Sequence, residues 1–170
     1  MAPSEAWHVP GRRYYFPIQP ADVTSFGSAH HDYPATDIFA PIGTALVAVT
    51  DGVIDELRRT DPWVPDVDDP ATRGGRFVSL IGDDGVRYYC SHLQWVAEGL
   101  EAGRRVRAGE VIGAVGISGD AARTPPHCHF GISRPTFPGD WEVRRGEVWP
   151  FEYLQAWERG EEVTPQLPEE

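Results

Sequence analysis

The sequence predicts an all-β domain, mainly antiparallel sheet with a groove on one face and one C-terminal helix. Three observations point there. Short β-branched and aromatic segments recur along the chain, each bounded by Gly, Pro or Asp turn signals. The 170 residues include 18 Gly and 16 Pro, a supply suited to many turns. No long stretch keeps a helical period; only 150–159, with Pro150 at its start and Gly160 past its end, carries helix start and stop signals.

Taken in order, 1–13 reads as a loosely held tail and 14–18 as a short strand. Residues 21–34 have no period and read as a loop holding His30, His31 and Asp32. Thr36-Asp37-Ile38-Phe39-Ala40-Pro41 is a short strand closed by its Pro. Residues 44–50 and 53–57 read as a hairpin across Asp51-Gly52. The acidic, Pro-rich stretch 60–75 reads as a long loop, either one wall of a substrate groove or a mobile surface insertion, with Trp63 the residue to watch for substrate stacking. Residues 76–81 and 86–93 form a second hairpin, followed by a short helical turn within 94–103. A third hairpin runs over 104–107 and 110–115, and 135–146 is irregular. The acidic end, 161–170, reads as frayed. The expected organisation is one domain over 1–170, with its core at about 14–135.

Composition excludes some functions. A net charge of −11 argues against nucleic acid as a partner. No apolar run approaches the ~20 residues that span a bilayer. Residues 1–10 lack the basic and apolar regions of a signal peptide. Cys90 and Cys128 are too few for a disulfide framework. Simple alternation puts Cys90 on the face of His92 and Cys128 on a core face, so the two thiols are expected to point apart.

The chemistry centres on Pro126-His127-Cys128-His129-Phe130-Gly131-Ile132. As a strand it turns His127, His129 and Gly131 to one face and Cys128, Phe130 and Ile132 to the other. One face suits a core; the other carries two imidazoles. His30, His31 and His92 also sit in loops or at strand ends, and Asp37 follows His31 by six residues. A catalytic zinc needs three protein ligands and an open position. His31, Asp37 and His129 supply two imidazoles and a carboxylate. His92 and His127 are then left for proton transfer and oxyanion stabilisation. Two His and a carboxylate also hold Fe(II) in oxygenases, but that reading leaves His92 and His127 idle.

These segments resemble the lysostaphin/LytM-type zinc metallopeptidases, which cleave peptide bonds in bacterial peptidoglycan. The likeness runs from about Ser28 to Ile132, through Asp37-Ile38-Phe39-Ala40-Pro41, Tyr89-Cys90-Ser91-His92-Leu93, Val106 to Gly113, Gly116-Ile117-Ser118-Gly119 and Pro126-His127-Cys128-His129-Phe130. The resemblance implies a lysostaphin-like fold, one Zn²⁺ ion with Asp37 and His129 as ligands, and His92 and His127 as the non-ligand histidines. It implies peptidoglycan peptides as substrate and an extracytoplasmic location, reached through a leader that 1–10 does not show. One departure matters: the family places its first His four residues before the Asp, and here that position is Tyr33. A bulge at 32–35 would return His31 to the metal, with His30 as the alternative ligand or a nearby support. Tyr33 is a more remote ligand choice and a candidate groove residue. The rival within the same fold is a non-catalytic metal- or peptidoglycan-binding module that acts as activator or scaffold.

Overall fold

The computed structural model describes residues 6–28 and 33–169. His30, His31 and Asp32 lie outside them, and with them the expected first ligand.

The strands in chain order are β1 (Ile18–Gln19), β2 (Ser25–Phe26), β3 (Thr36–Phe39), β4 (Ala45–Val47), β5 (Gly52–Arg58), β6 (Phe77–Gly82), β7 (Arg87–Ser91), β8 (Leu93–Val96), β9 (Arg105–Val106), β10 (Val111–Val115) and β11 (His127–Ser133). Two helices follow, α1 (Trp141–Arg144) and α2 (Phe151–Glu158). The strands form two antiparallel sheets, β1-β4-β10-β8 and β2-β3-β11-β7-β6-β5-β9. The all-β expectation with a C-terminal helix therefore holds, although two sheets replace the single sheet.

Buried apolar side chains from both sheets meet in one cluster. Leu46, Leu93 and Val115 enter from the smaller sheet, and Ile54, Leu80, Tyr88, Phe130 and Ile132 from the larger. Helix α2 closes the cluster with Leu154 and Trp157. Trp157 is 1% exposed, and its ring stacks on Tyr14 and meets Phe130 edge-on.

Several local expectations are corrected. Of 14–18, only Ile18 is in a strand, yet Tyr14, Tyr15 and Phe16 are buried. The stretch read as an aperiodic loop contains a 3-10 turn at Ala21–Val23 and the strand β2. The expected hairpins across Asp51-Gly52 and Ala108-Gly109 do not form, because β4 and β10 lie in the smaller sheet and β5 and β9 in the larger. These turns carry the chain between sheets. The helical turn expected within 94–103 is instead partly the strand β8. The C-terminal stretch is held to the body, since Trp157 Nε1 donates to the Val163 carbonyl and Gln166 N–H donates to the Tyr153 hydroxyl.

The two thiols do not point apart. Cys90 pairs across β7 and β11 with Phe130, so it shares the core face with Cys128, two residues along. Both are buried and free, and burial beside Cys128 raises the Cys90 thiol pKa. Strict alternation breaks at His92, whose φ of +64° turns it off the β7 repeat.

The central strand β11 has no room to spare on its outer face. A Cβ at Gly131 would overlap the backbone carbonyl of Arg145. Gly131→Ala should therefore cost about 1–3 kcal/mol as an overpacked site, read as a lower urea midpoint with an unchanged slope; an unshifted midpoint would show that the 145 segment yields freely.

Candidate active site

The register of the larger sheet assembles the site. β11 lies between β3 and β7, with His129 directly opposite Asp37 on one side and Ser91 on the other. Ile38, Cys90, Cys128 and Phe130 face the core, so Asp37, His127 and His129 face outward. They line an open cleft of about 350 Å³, together with His92, Tyr33 and Asp120. His92, His127 and His129 are each no more than 7% exposed.

His92 arrives by a different route. It is the single residue between β7 in the larger sheet and β8 in the smaller one. Its left-handed backbone makes the corner, a conformation that costs a non-glycine residue on the order of 1–3 kcal/mol. The corner is held by His92 N–H to the Gly74 carbonyl (2.7 Å) and Leu93 N–H to the Arg76 carbonyl (3.0 Å). The His92 ring then stands 4.9 Å from that of His127, centre to centre.

Each imidazole is fixed by a backbone carbonyl. His92 Nδ1 lies 2.8 Å from the Ser118 carbonyl, His127 Nδ1 2.9 Å from that of Pro125, and His129 Nε2 2.8 Å from that of Arg145. A carbonyl only accepts, so the contacting nitrogen carries the proton. In a neutral ring the other nitrogen then carries no proton, and in two of the rings it turns to one carboxylate oxygen. Asp37 Oδ1 is 3.4 Å from His129 Nδ1 and 4.0 Å from His127 Nε2.

Electrostatics keep His92 neutral. Burial, then the neighbouring His129 and His127, push its pKa down to about 3, against a smaller upward pull from the Ser118 hydrogen bond. Its Nε2 is 3.8 Å from Asp120 Oδ1, beyond hydrogen-bond distance. Burial raises the Asp120 carboxyl, partly offset by Arg73 and the two neighbouring histidines.

The donors present suit a divalent ion. Two atoms each roughly 2.0–2.2 Å from one tetrahedral zinc stand roughly 3.4 Å apart, the separation of His129 Nδ1 and Asp37 Oδ1. The Arg145 carbonyl behind His129 is the kind of partner that fixes a ligating imidazole. Among the described residues no group of three such side chains forms a complete cage.

Asp37, His92, His127 and His129 thus converge, and Tyr33 joins them with its ring 5.7 Å from that of His129. Trp63 does not line the cleft; Pro70, Ala71 and Arg73 of the same acidic loop do. Trp141, Arg144 and Arg145 were missed by sequence reasoning, because 135–146 carries no periodic signal. Asp120 was missed too, although its neighbours Ser118 and Gly119 belong to a recognised segment.

Residues 31–141 match peptidase family M23. The chain is 30% identical over 145 residues to an L-Ala--D-Glu endopeptidase of Bacillus subtilis, covering 82% of this chain and 39% of that protein. It is 34% identical over 98 residues to glycyl-glycine endopeptidase ALE-1 of Staphylococcus capitis, covering 55% of this chain and 22% of that one. The chain therefore spans less than half the length of these relatives. The fold superimposes on the catalytic domain of the antimicrobial peptidase lysostaphin from Staphylococcus simulans with a TM-score of 0.60 and 26% identity, over 81% of this chain and 96% of that one. By sequence match and sheet architecture, the chain belongs to peptidase family M23.

Proposed function

We propose that the chain is a zinc-dependent endopeptidase that hydrolyses peptide bonds in bacterial peptidoglycan stems or crosslinks, acting outside the cytoplasm. The observation that supports this most is His129 Nδ1 set 3.4 Å from Asp37 Oδ1, beside two further imidazoles. Asp37 and His129 would hold the ion, with His31 as the expected third ligand and His30 as its alternative. When bound, zinc polarises a carbonyl and brings the pKa of a coordinated water to about 7.

The chain's own groups would manage the protons. The Pro125 carbonyl holds His127 Nδ1–H and leaves Nε2 facing the cleft. That nitrogen accepts a proton from the attacking water, and Asp37 at 4.0 Å steadies the resulting imidazolium. The same imidazolium returns the proton to the departing amine. His92, neutral and tied through Nδ1, presents an acceptor that orients the water.

His129→Ala should lose bound zinc, measured by elemental analysis of protein purified without added metal. His127→Ala should retain zinc yet clear a purified peptidoglycan suspension about 10²-fold or more slowly. Wild-type clearing by H127A would remove the role assigned to His127. A chelator should abolish clearing and zinc should restore it; chelator-resistant clearing would contradict a metal-dependent reaction.

The His92 environment sets a pH dependence. An unfolded His takes up a proton near pH 6.5, whereas folded His92 does so only near 3. The unfolded chain binds the extra proton between those values, so this contribution is complete above pH 6.5 and declines as the pH falls towards 3. Metal-free wild type should therefore lose on the order of 3 kcal/mol more stability than H92Q between pH 7 and 4, measured by urea unfolding; parallel curves would refute the neutral, buried imidazole.

A further inference from the structure

The cleft contains positive charge that the proposed hydrolysis does not use. The chain carries a net −11, yet Arg73, Arg144 and Arg145 all line the cleft. Two of them have carboxylate partners. Arg144 is 4% exposed, its Nη1 donates to Glu56 Oε2 at 2.9 Å, and its guanidinium lies over the Phe77 ring. Arg73 Nε donates to Asp68 Oδ1 at 3.1 Å.

Arg145 differs. Among the described residues its guanidinium has no ion pair and no hydrogen bond, and its Nε is shielded from solvent without a partner. The group is nonetheless held in place. Its Cζ lies 3.9 Å from the centre of the Tyr33 ring and 5.4 Å from that of Trp141. A guanidinium held against aromatic rings has little freedom left to lose, and its planar fork matches a carboxylate. Tyr33 also neighbours His129, so one aromatic ring separates this cation from the proposed metal ligand. An extended peptide advances about 3.3 Å per residue. A carboxylate taken by Arg145 therefore belongs to a residue within one or two positions of the bond at His129.

We propose that Arg145 is an anion subsite for the bound peptide, and that the preferred substrate carries a carboxylate beside the scissile bond, unlike a neutral glycine bridge. The assignment rests on reading the cleft as the peptidase site. It makes Arg145 a determinant of specificity. The backbone carbonyl of the same residue holds His129, and any side-chain replacement keeps that carbonyl.

The test uses two synthetic peptides, one containing L-Ala–D-Glu with a free carboxylate and one with that carboxylate amidated. Zinc-loaded wild type should favour the acid about 10- to 100-fold in kcat/KM, the size of one charge-assisted pair. R145Q should bring that ratio near one, and R145K should fall between, since it keeps charge but loses the fork. Binding to zinc-loaded H127A and to H127A/R145Q, followed by calorimetry, gives the same comparison without turnover. Cleavage of both peptides with a ratio that R145Q leaves unchanged would overturn the subsite and leave the peptidase reading standing. Selective, Arg145-dependent binding of the acid with no cleavage by wild type would uphold the subsite and sink the peptidase reading. Neither cleavage nor selective binding would overturn both.

Discussion

The pairing of β3 with β11 is the constraint on which the rest of the structure depends. Two segments some ninety residues apart are locked as neighbours, with Asp37 opposite His129. Their inward residues, Ile38, Cys128 and Phe130, are buried in the shared core. Slipping the register by one residue would move the imidazoles to the core and the apolar side chains to the cleft. Core packing therefore sets the position of the polar face, and the hydrophobic effect that stabilises the domain also aims the chemistry.

Backbone carbonyls supply the second level of order. Ser118, Pro125 and Arg145 come from loops outside the sheet, and each takes the N–H of one imidazole. The carbonyl decides which nitrogen carries the proton, which an isolated His leaves open. The loops are tied in turn. Ser118 Oγ donates to the Leu93 carbonyl and accepts from Arg76 N–H, linking the His92 corner to the acidic loop. Gly119 is needed there, since a Cβ would run into the Arg73 carbonyl. The loops that shape the cleft and those that set the tautomers are thus largely the same segments.

Much of this was legible in the sequence where the signal was local. Alternation along 127–132 placed the two faces of β11 correctly, and Pro150 and Gly160 bracketed α2. Long-range choices were not legible. Asp51-Gly52 has the residues of a tight hairpin, yet its flanking strands part into different sheets, because each finds a better partner elsewhere in the chain. The faces of Cys90 and His92 were misjudged because a left-handed residue cancels the period-2 rule, and nothing about a histidine announces that conformation. Arg145 was invisible for another reason: its significance comes from Tyr33 and Trp141, and only folding brings Tyr33 to it.

The chain thus combines a two-sheet scaffold shared with lysostaphin and a polar face whose three imidazoles are oriented by main-chain carbonyls. The measurement that tests this arrangement most directly is anomalous X-ray scattering at the zinc edge from crystals of the zinc-loaded protein. One peak is expected on the outer face of the larger sheet, about 2.0–2.2 Å from both His129 Nδ1 and Asp37 Oδ1, with His92 and His127 still on their carbonyls. A peak elsewhere, or one bound through His127 in place of His129, would contradict it.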